Sequence, residues 1–368
     1  MTLSPINRAT TINGDNMLPR IKKLRAKLKQ NSLDGLLVSS AANVSYLTDS
    51  LSRDAYLLVS ANKIFYFTDA RYSEEVKETL KNKVTLKIIN GSVFRLIAQT
   101  CLKARLKRIG FEERLLAFAE YRSIKRELKL EAKLIPTIGL VEEIRQIKEP
   151  RELEIIKQAV FITQQALGFI KNHVKPGKKE IEIVAELEHF IRYHGSLDSA
   201  FQIIVASGPN SRFPHHISGP RIIRDNELVL IDIGVEYLGY KSDLTRAFFV
   251  GKISLLTRKI YDIVRRAQAI AIKNIIPGAK ASQIDKACRD YISASGFANG
   301  FNHSLGHAIG LEVHEDPRLS RKDDTLLEPG MVFTVEPAIY LPGKFGIRIE
   351  DMVAVTKKGA QVLSGSLD

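Results

Sequence analysis

The run Glu227-Leu228-Val229-Leu230-Ile231-Asp232-Ile233-Gly234-Val235 constrains this chain more than any other. It reads as a buried strand, yet it carries a carboxylate near its middle. An ionised carboxylate there is costly unless it is protonated, paired or bound to a cation. Three more acids repeat the problem. Asp243 lies in Lys241–Val250, beyond a tight turn around Tyr237-Leu238-Gly239; Glu336 lies in Met331–Pro337 and Glu350 in Gly346–Val353. Counting from that turn sets Asp232 and Asp243 opposite each other to within about one residue. An edge-strand position, or an ion pair with Arg246 or Arg348, would account for any single acid. Four in one region need a common cause.

The stretch Phe301–Glu315 supplies a partner for them. It holds His303, His307 and His314 in a chain with eight histidines. Gly306 and Gly310 let backbone run close to whatever the histidines hold. His307 and His314 are seven residues apart, which suits a strand or loop along a pocket wall better than one helical turn. Taken alone, the stretch leaves open a loop that is merely rich in histidine. With four carboxylates, a divalent cation becomes the common cause, since several oxygens and one nitrogen suit Mn²⁺, Co²⁺ or Zn²⁺. Five ligands exceed one zinc tetrahedron and fit two cations about 3.5–4 Å apart that share carboxylates. A donor set without cysteine is hard, which favours Mn²⁺.

A chain of 368 residues with 45% hydrophobic and 26% charged content can build two domains with full cores. No apolar run is long enough to cross a bilayer, and Met1–Asn16 lacks the apolar core of a secretory signal. Cys101 and Cys288 fall in different expected domains, so no disulfide is expected and the cytoplasm is the default location. The net charge of +14 raises nucleic-acid binding as a possibility. Residues 1–150 hold 27 Lys and Arg against 16 Asp and Glu, net +11, and the remainder 28 against 25, net +3. The basic runs Lys103–Arg108 and Lys125–Lys129 have apolar residues between the charges and read as solvated helix faces. Neither a nucleic acid nor a membrane is an expected partner.

Along the chain, a polar extension over 1–16 precedes a helix near 18–30, with Ile21, Leu24 and Leu28 on one face. Strand patterns at 34–40, 56–60, 64–68, 84–89 and 108–111 interleave with helical ones at 72–82, 92–107 and 118–130. They predict an α/β domain with a mixed or parallel sheet over 17–140. A second domain follows over 141–368. Its helices are expected at 141–148, 151–172, 179–194, 255–274 and 281–295, and Pro150 opens the second of them.

Asp232-Ile233-Gly234, Ser242-Asp243-Leu244-Thr245-Arg246, His303-Ser304-Leu305-Gly306-His307, Val313-His314-Glu315, Val335-Glu336-Pro337 and Arg348-Ile349-Glu350-Asp351 together resemble the proline-specific pita-bread metallopeptidases, aminopeptidase P and prolidase. The resemblance runs from about Met17 to the C-terminus and departs at Ala308, where many relatives have Gly. It implies an α/β domain followed by an α+β pita-bread catalytic domain. It implies Asp232, Asp243, His307, Glu336 and Glu350 as ligands of two metals, with Asp243 and Glu350 bridging. Glu336 is then the expected general base. His215, in Ser207–His215, and His314 are the expected substrate-side histidines. Arg348 is expected to orient a ligand, and His303 to have a packing or loop role. The expected activity is Xaa-Pro cleavage by a cytoplasmic homodimer.

Other readings stay open: a prolidase restricted to dipeptides, a methionine aminopeptidase-like enzyme, a creatinase-like hydrolase without metal, and a pita-bread binding module that has lost its metals. Strict dipeptide cleavage needs a fixed cation for the proline carboxylate. Arg318, four residues after His314, is the nearest candidate; the alternative is a solvent-exposed arginine paired with Asp316.

Overall fold

A computed structural model describes residues 16–365. Apart from Asn16, the expected extension over 1–16 lies outside the described residues. The chain divides between Arg145 and Gln146 into two compact units.

The first unit contains α1 (Met17–Gln30), β1 (Gly35–Val38), α2 (Ala41–Thr48), β2 (Tyr56–Ser60), β3 (Ile64–Thr68) and α3 (Ser73–Leu80). β4 (Thr85–Ile88), α4 (Val93–Lys103), β5 (Arg108–Glu112), α5 (Phe118–Leu128), β6 (Lys133–Thr137) and α6 (Glu142–Arg145) complete it. Its six strands form one sheet, ordered β4-β3-β2-β1-β5-β6. The β1–β2 and β2–β3 pairs are antiparallel, and β3–β4, β1–β5 and β5–β6 are parallel. The expected mixed sheet is therefore present.

Periodicity did not reveal α2 or β6. Helix α2 is short and is started by Ser40, whose side chain accepts from the Asn43 amide. Strand β6 is an edge strand that includes Pro136, as an edge tolerates. The division also falls a few residues past the expected 140/141. The reason is that 141–145 packs inward: Val141 and Ile144 are buried, Tyr46 Oη donates to Ile144 O, and Arg145 Nη1 donates to Asn43 Oδ1 at 2.6 Å.

The second unit opens with α7 (Pro150–Ile170) and α8 (Glu180–Tyr193). Strands β7 (Asp198–Ser199), β8 (Ile204–Ser207), β9 (Glu227–Ile233), β10 (Val235–Tyr237), β11 (Tyr240–Lys241) and β12 (Leu244–Val250) lead to α9 (Leu255–Asn274) and α10 (Ala281–Ala294). β13 (Gly306–Ala308), β14 (Glu315–Leu319), β15 (Val332–Val335), β16 (Ala338–Tyr340), β17 (Gly346–Arg348), β18 (Asp351–Thr356) and β19 (Gly359–Val362) close it. Two sheets matter here, β12-β9-β8 and β14-β13-β15-β18-β19.

Alternation along their strands gives the unit two apolar layers. Leu228 and Leu230 of β9, Phe333 of β15 and Val353 of β18 join α9 and α10 side chains such as Val264, Ile284 and Cys288. Val229, Ile231, Val332 and Met352 join Ile156, Val160, Ile183 and Leu187 of α7 and α8. Helices thus cover both faces, which is why the strands are apolar almost throughout. Cys101 and Cys288 are buried free thiols, as expected.

The register around the first acid differs from expectation. Asp232 pairs with Thr245, and Leu244 with Ile233, so Asp243 lies two residues off rather than within one. The turn is the two-residue Leu238-Gly239, with φ of 49° and 84°, flanked by the Tyr237–Tyr240 pair. Both residues are left-handed, the pattern of a tight hairpin, and the centre moves one position along the chain. A two-residue offset preserves the face, so the two carboxylates remain diagonal neighbours.

Candidate active site

The second unit holds a pocket of about 600 Å³ whose walls include Asp232, Asp243, His307, Glu336 and Glu350. Asp232 lies within β9 and His307 within β13, but the other three acids do not lie in strands. Asp243 immediately precedes β12, Glu336 follows β15, and Glu350 sits between β17 and β18. At such strand ends the backbone is free to turn carboxylates toward one point. Asp243, His307 and Glu350 each offer a donor atom within 4.8 Å of the others. His307 Nε2 is 3.7 Å from Asp243 Oδ2 and 3.5 Å from Glu336 Oε1.

His307 is oriented by its own strand. Its Nδ1–H donates to Ala308 O at 3.1 Å, which leaves the Nε2 lone pair for the carboxylate side. Its amide donates to Thr334 Oγ1 on β15. A Cβ on Gly306 would lie 2.0 Å from Thr334 O, so only glycine allows this approach. At Gly310 a Cβ would lie 2.8 Å from Glu315 Oε1, so a side chain there would displace the Glu315 carboxylate. Glu315 also accepts from Lys148 Nζ at 2.9 Å in a buried ion pair, just after His314.

Hydroxyls and one cation hold the acids. Thr245 Oγ1 donates to Glu350 Oε2 at 2.8 Å and Thr334 Oγ1 to Glu336 Oε1 at 3.3 Å. Arg348 Nη2 donates to Asp232 Oδ2 at 2.5 Å, its Nε to Thr245 Oγ1 and its Nη1 to Tyr340 Oη. The other oxygen, Asp232 Oδ1, is buried without a partner.

The electrostatics follow from this crowding. Burial pushes the Asp243 and Glu350 carboxyls well above their ordinary range, and the neighbouring negative charges push them further. Burial brings Glu336 to about 8. Burial lowers His307 to about 4, with the His314 ring adding to the effect. Burial also works against the Arg348 cation, but Tyr340, Asp232, Glu336 and Glu350 outweigh it and keep it charged. Four carboxylates around one lone-paired imidazole, answered by Arg348 at one of them, suit divalent cations. The orphaned Asp232 Oδ1 fits the same account.

His314 stands beside His307 with ring centroids 4.5 Å apart, and burial followed by the Arg318 charge lowers its pKa. His215 is exposed on the pocket wall. Arg318 pairs across the sheet with His307 and lines the pocket, but its side chain is 57% exposed and 4.0 Å from Asp316. His303, set aside as a packing residue, also lines the pocket. Its Nδ1 is 3.9 Å from Glu336 Oε2, and its Nε2 is buried without a partner. Its place four residues before His307 was the available signal. Tyr340 carried none, because nothing in its local sequence points to Arg348. A larger groove of about 890 Å³ in the first unit gathers Arg25, Lys29, Lys63 and Lys87 but no histidine.

Comparison with known proteins agrees with this geometry. Residues 20–147 match the creatinase/prolidase N-terminal domain, and residues 154–357 match metallopeptidase family M24. The chain is 34% identical to an Xaa-Pro dipeptidase of Pyrococcus horikoshii, over 95% of this chain and 98% of that one. A solved Xaa-Pro dipeptidase from Bacillus anthracis superposes with a TM-score of 0.92 at 37% identity, covering 95% of this chain and 98% of the other. An X-Pro aminopeptidase from Thermotoga maritima superposes at 0.86 with 32% identity, covering 94% and 98%. The expected α/β domain and pita-bread catalytic domain are thus both present. With four carboxylates and a histidine gathered in one pocket of the second unit, the chain belongs to metallopeptidase family M24.

Proposed function

We propose that this chain is a two-metal Xaa-Pro peptidase, which cleaves the bond between an N-terminal residue and a following proline. The observation that carries the reading is the convergence of Asp232, Asp243, His307, Glu336 and Glu350 on one pocket that also presents His314. Asp232, Asp243, His307, Glu336 and Glu350 would together hold the two divalent cations. The oxygen-rich donor set favours Mn²⁺. Bound cations supply Lewis acidity, lowering the pKa of a water at the site toward neutrality.

The protein's groups do the rest. Glu336 accepts a proton from the attacking water and returns it to the leaving proline nitrogen. His314, neutral because its pKa is lowered, donates a ring N–H to the oxygen that gains charge. His215, which lines the same pocket, offers a second donor. Arg348 fixes Asp232 and limits its rotation. The proposal includes a cytoplasmic homodimer, to be checked by fractionation and sedimentation.

Relatives carry both names, dipeptidase and aminopeptidase. The half-open position of Arg318 supports cleavage of Xaa-Pro-Yaa peptides with some dipeptide activity. Its place across from His307 supports the second reading, a strict dipeptidase. Assays of Ala-Pro and Ala-Pro-Ala, with and without added Mn²⁺, test the proposal. No cleavage of either with metal present would overturn it.

A further inference from the structure

The loop between β8 and β9 carries two adjacent histidines, and their surroundings differ. His215 is exposed and free to face the pocket. His216 also borders the pocket, but its Nε2 is committed to Glu180 Oε2 at 2.8 Å. Glu180 is the first residue of α8 and has a fully buried side chain. A carboxylate can only accept here, so the ring nitrogen carries the proton.

Glu180 does more than hold one histidine. Its Oε1 accepts from Ser207 N at 2.8 Å, Ser207 Oγ at 2.7 Å and Asn210 Nδ2 at 3.0 Å; Oε2 also accepts from Gly219 N at 3.4 Å. One buried carboxylate thus gathers the start, middle and end of the loop. Burial opposes its charge, but these donors outweigh burial and hold the carboxyl below its ordinary value. On the other side of His215, Pro214 O accepts from Arg348 Nη1 at 3.4 Å, and Arg348 also holds Asp232. His215 is therefore flanked by one residue tied to α8 and one tied to the carboxylate cluster.

We propose that His216 and Glu180 form a latch that positions His215 against the substrate. His216 is a positioning residue and does not itself touch substrate. The inference rests on the Xaa-Pro peptidase reading for its activity arm only. It divides the labour within the His-His pair: the latched ring sets the place and the free ring makes the contact. Side chains held in this way gain effectiveness from fixed orientation, which a loosened loop forfeits.

The test uses the metal-loaded full chain and four variants: His216→Ala, His216→Gln, His215→Ala and the double alanine. His216→Ala should lower kcat/KM for Ala-Pro-Ala about tenfold or more while bound metal and melting temperature stay near wild type. His216→Gln, whose amide N–H falls close to the position of imidazole Nε2, should restore most of the loss. The double variant should be no worse than His215→Ala, because residues acting as one unit are not additive. Additive losses, or an unrescued glutamine variant, would overturn the proposal. Amide hydrogen exchange provides an arm without activity. Residues 207–219 should lose protection in His216→Ala and regain it in His216→Gln, with β9 unchanged. If wild type cleaves no Xaa-Pro peptide, the functional reading fails, and exchange alone decides the latch. Unchanged exchange across the loop would refute it.

Discussion

Removing the divalent cations should reverse the usual pH dependence of stability near neutrality. In the metal-free site, Asp243 and Glu350 titrate well above their unfolded values near 4, and Glu336 titrates at about 8. A carboxyl whose folded pKa is raised stabilises the fold below its unfolded pKa. That contribution disappears as pH rises through the folded pKa. His303 and His307 act in the opposite sense: each is lowered to about 4, so they add stability as pH rises from about 4 to 6.5 and then stop. Above pH 6.5 the carboxyls are left alone. Each proton retained only by the folded state costs about 1.4 kcal/mol per pH unit. Glu336 alone then removes about 2 kcal/mol between pH 6.5 and 8. Its side chain is 17% exposed, which trims that figure toward about 1 kcal/mol. Asp243 and Glu350 add in the same direction. For a domain of this size, about 2 kcal/mol corresponds to a drop of about 4–8 °C in Tm. The assay is thermal unfolding of chelator-treated and metal-loaded protein from pH 6.5 to 8.5. The loaded protein should hold or gain stability, since binding expels those protons. A metal-free midpoint that stays flat or rises across this window would refute the reasoning.

Chelation should abolish peptidase activity and added Mn²⁺ should restore it; full activity in protein shown metal-free by elemental analysis would contradict the proposed site. Glu336→Gln should lower kcat by about 10²–10⁴-fold with the fold intact by circular dichroism, and a loss under about tenfold would remove Glu336 as the base. Arg318→Ala should leave Ala-Pro-Ala cleavage within a few-fold of wild type; if activity is confined to Ala-Pro and is lost in the variant, the strict dipeptidase reading wins. Lys148→Met takes the ammonium from buried Glu315 and should cost about 3–5 kcal/mol in urea unfolding, so a loss under about 1 kcal/mol would show the pair to be dispensable.

The acids were legible because an apolar strand makes a lone carboxylate conspicuous, as Asp232 shows among Leu230, Ile231 and Ile233. Long helices were legible for a similar reason: α9 buries Ile260, Ile263, Val264, Ala267 and Ala271 at helical spacing. Register was less so. One residue of uncertainty about the Leu238-Gly239 turn shifted the partner of Asp232 to Thr245. The supporting polar groups were not legible at all. Thr245, Thr334 and Glu180 matter through contacts with Glu350, His307 and Ser207, all distant in sequence, and a hydroxyl in a strand gives no local signal of which partner it meets. His303 sits in a loop and packs on Phe301 and Tyr340, in keeping with its expected role, but its neighbours Asn302 and Ser304 gave no signal of its place on the pocket wall.

The five central residues are divided between two sheets, with Asp232 on and Asp243 beside one, and His307, Glu336 and Glu350 on or beside the other. Arg246 ties β12 to Glu350 O and to Asp351 Oδ1, and further contacts set the alignment of those sheets. The Asp243 amide approaches Met352 Sδ at 3.3 Å, the Glu350 amide donates to Thr245 O at 3.2 Å, and Thr245 Oγ1 donates to Glu350. The pocket is consequently a vernier for the seam. Replacing buried Met352 with alanine would open a cavity costing about 2–5 kcal/mol and let one sheet settle by a fraction of an ångström. Coordination distances tolerate only about 0.2 Å. Metal affinity would then decline along with stability, and a substitution at a residue that offers the metal no donor atom would masquerade as a ligand mutation.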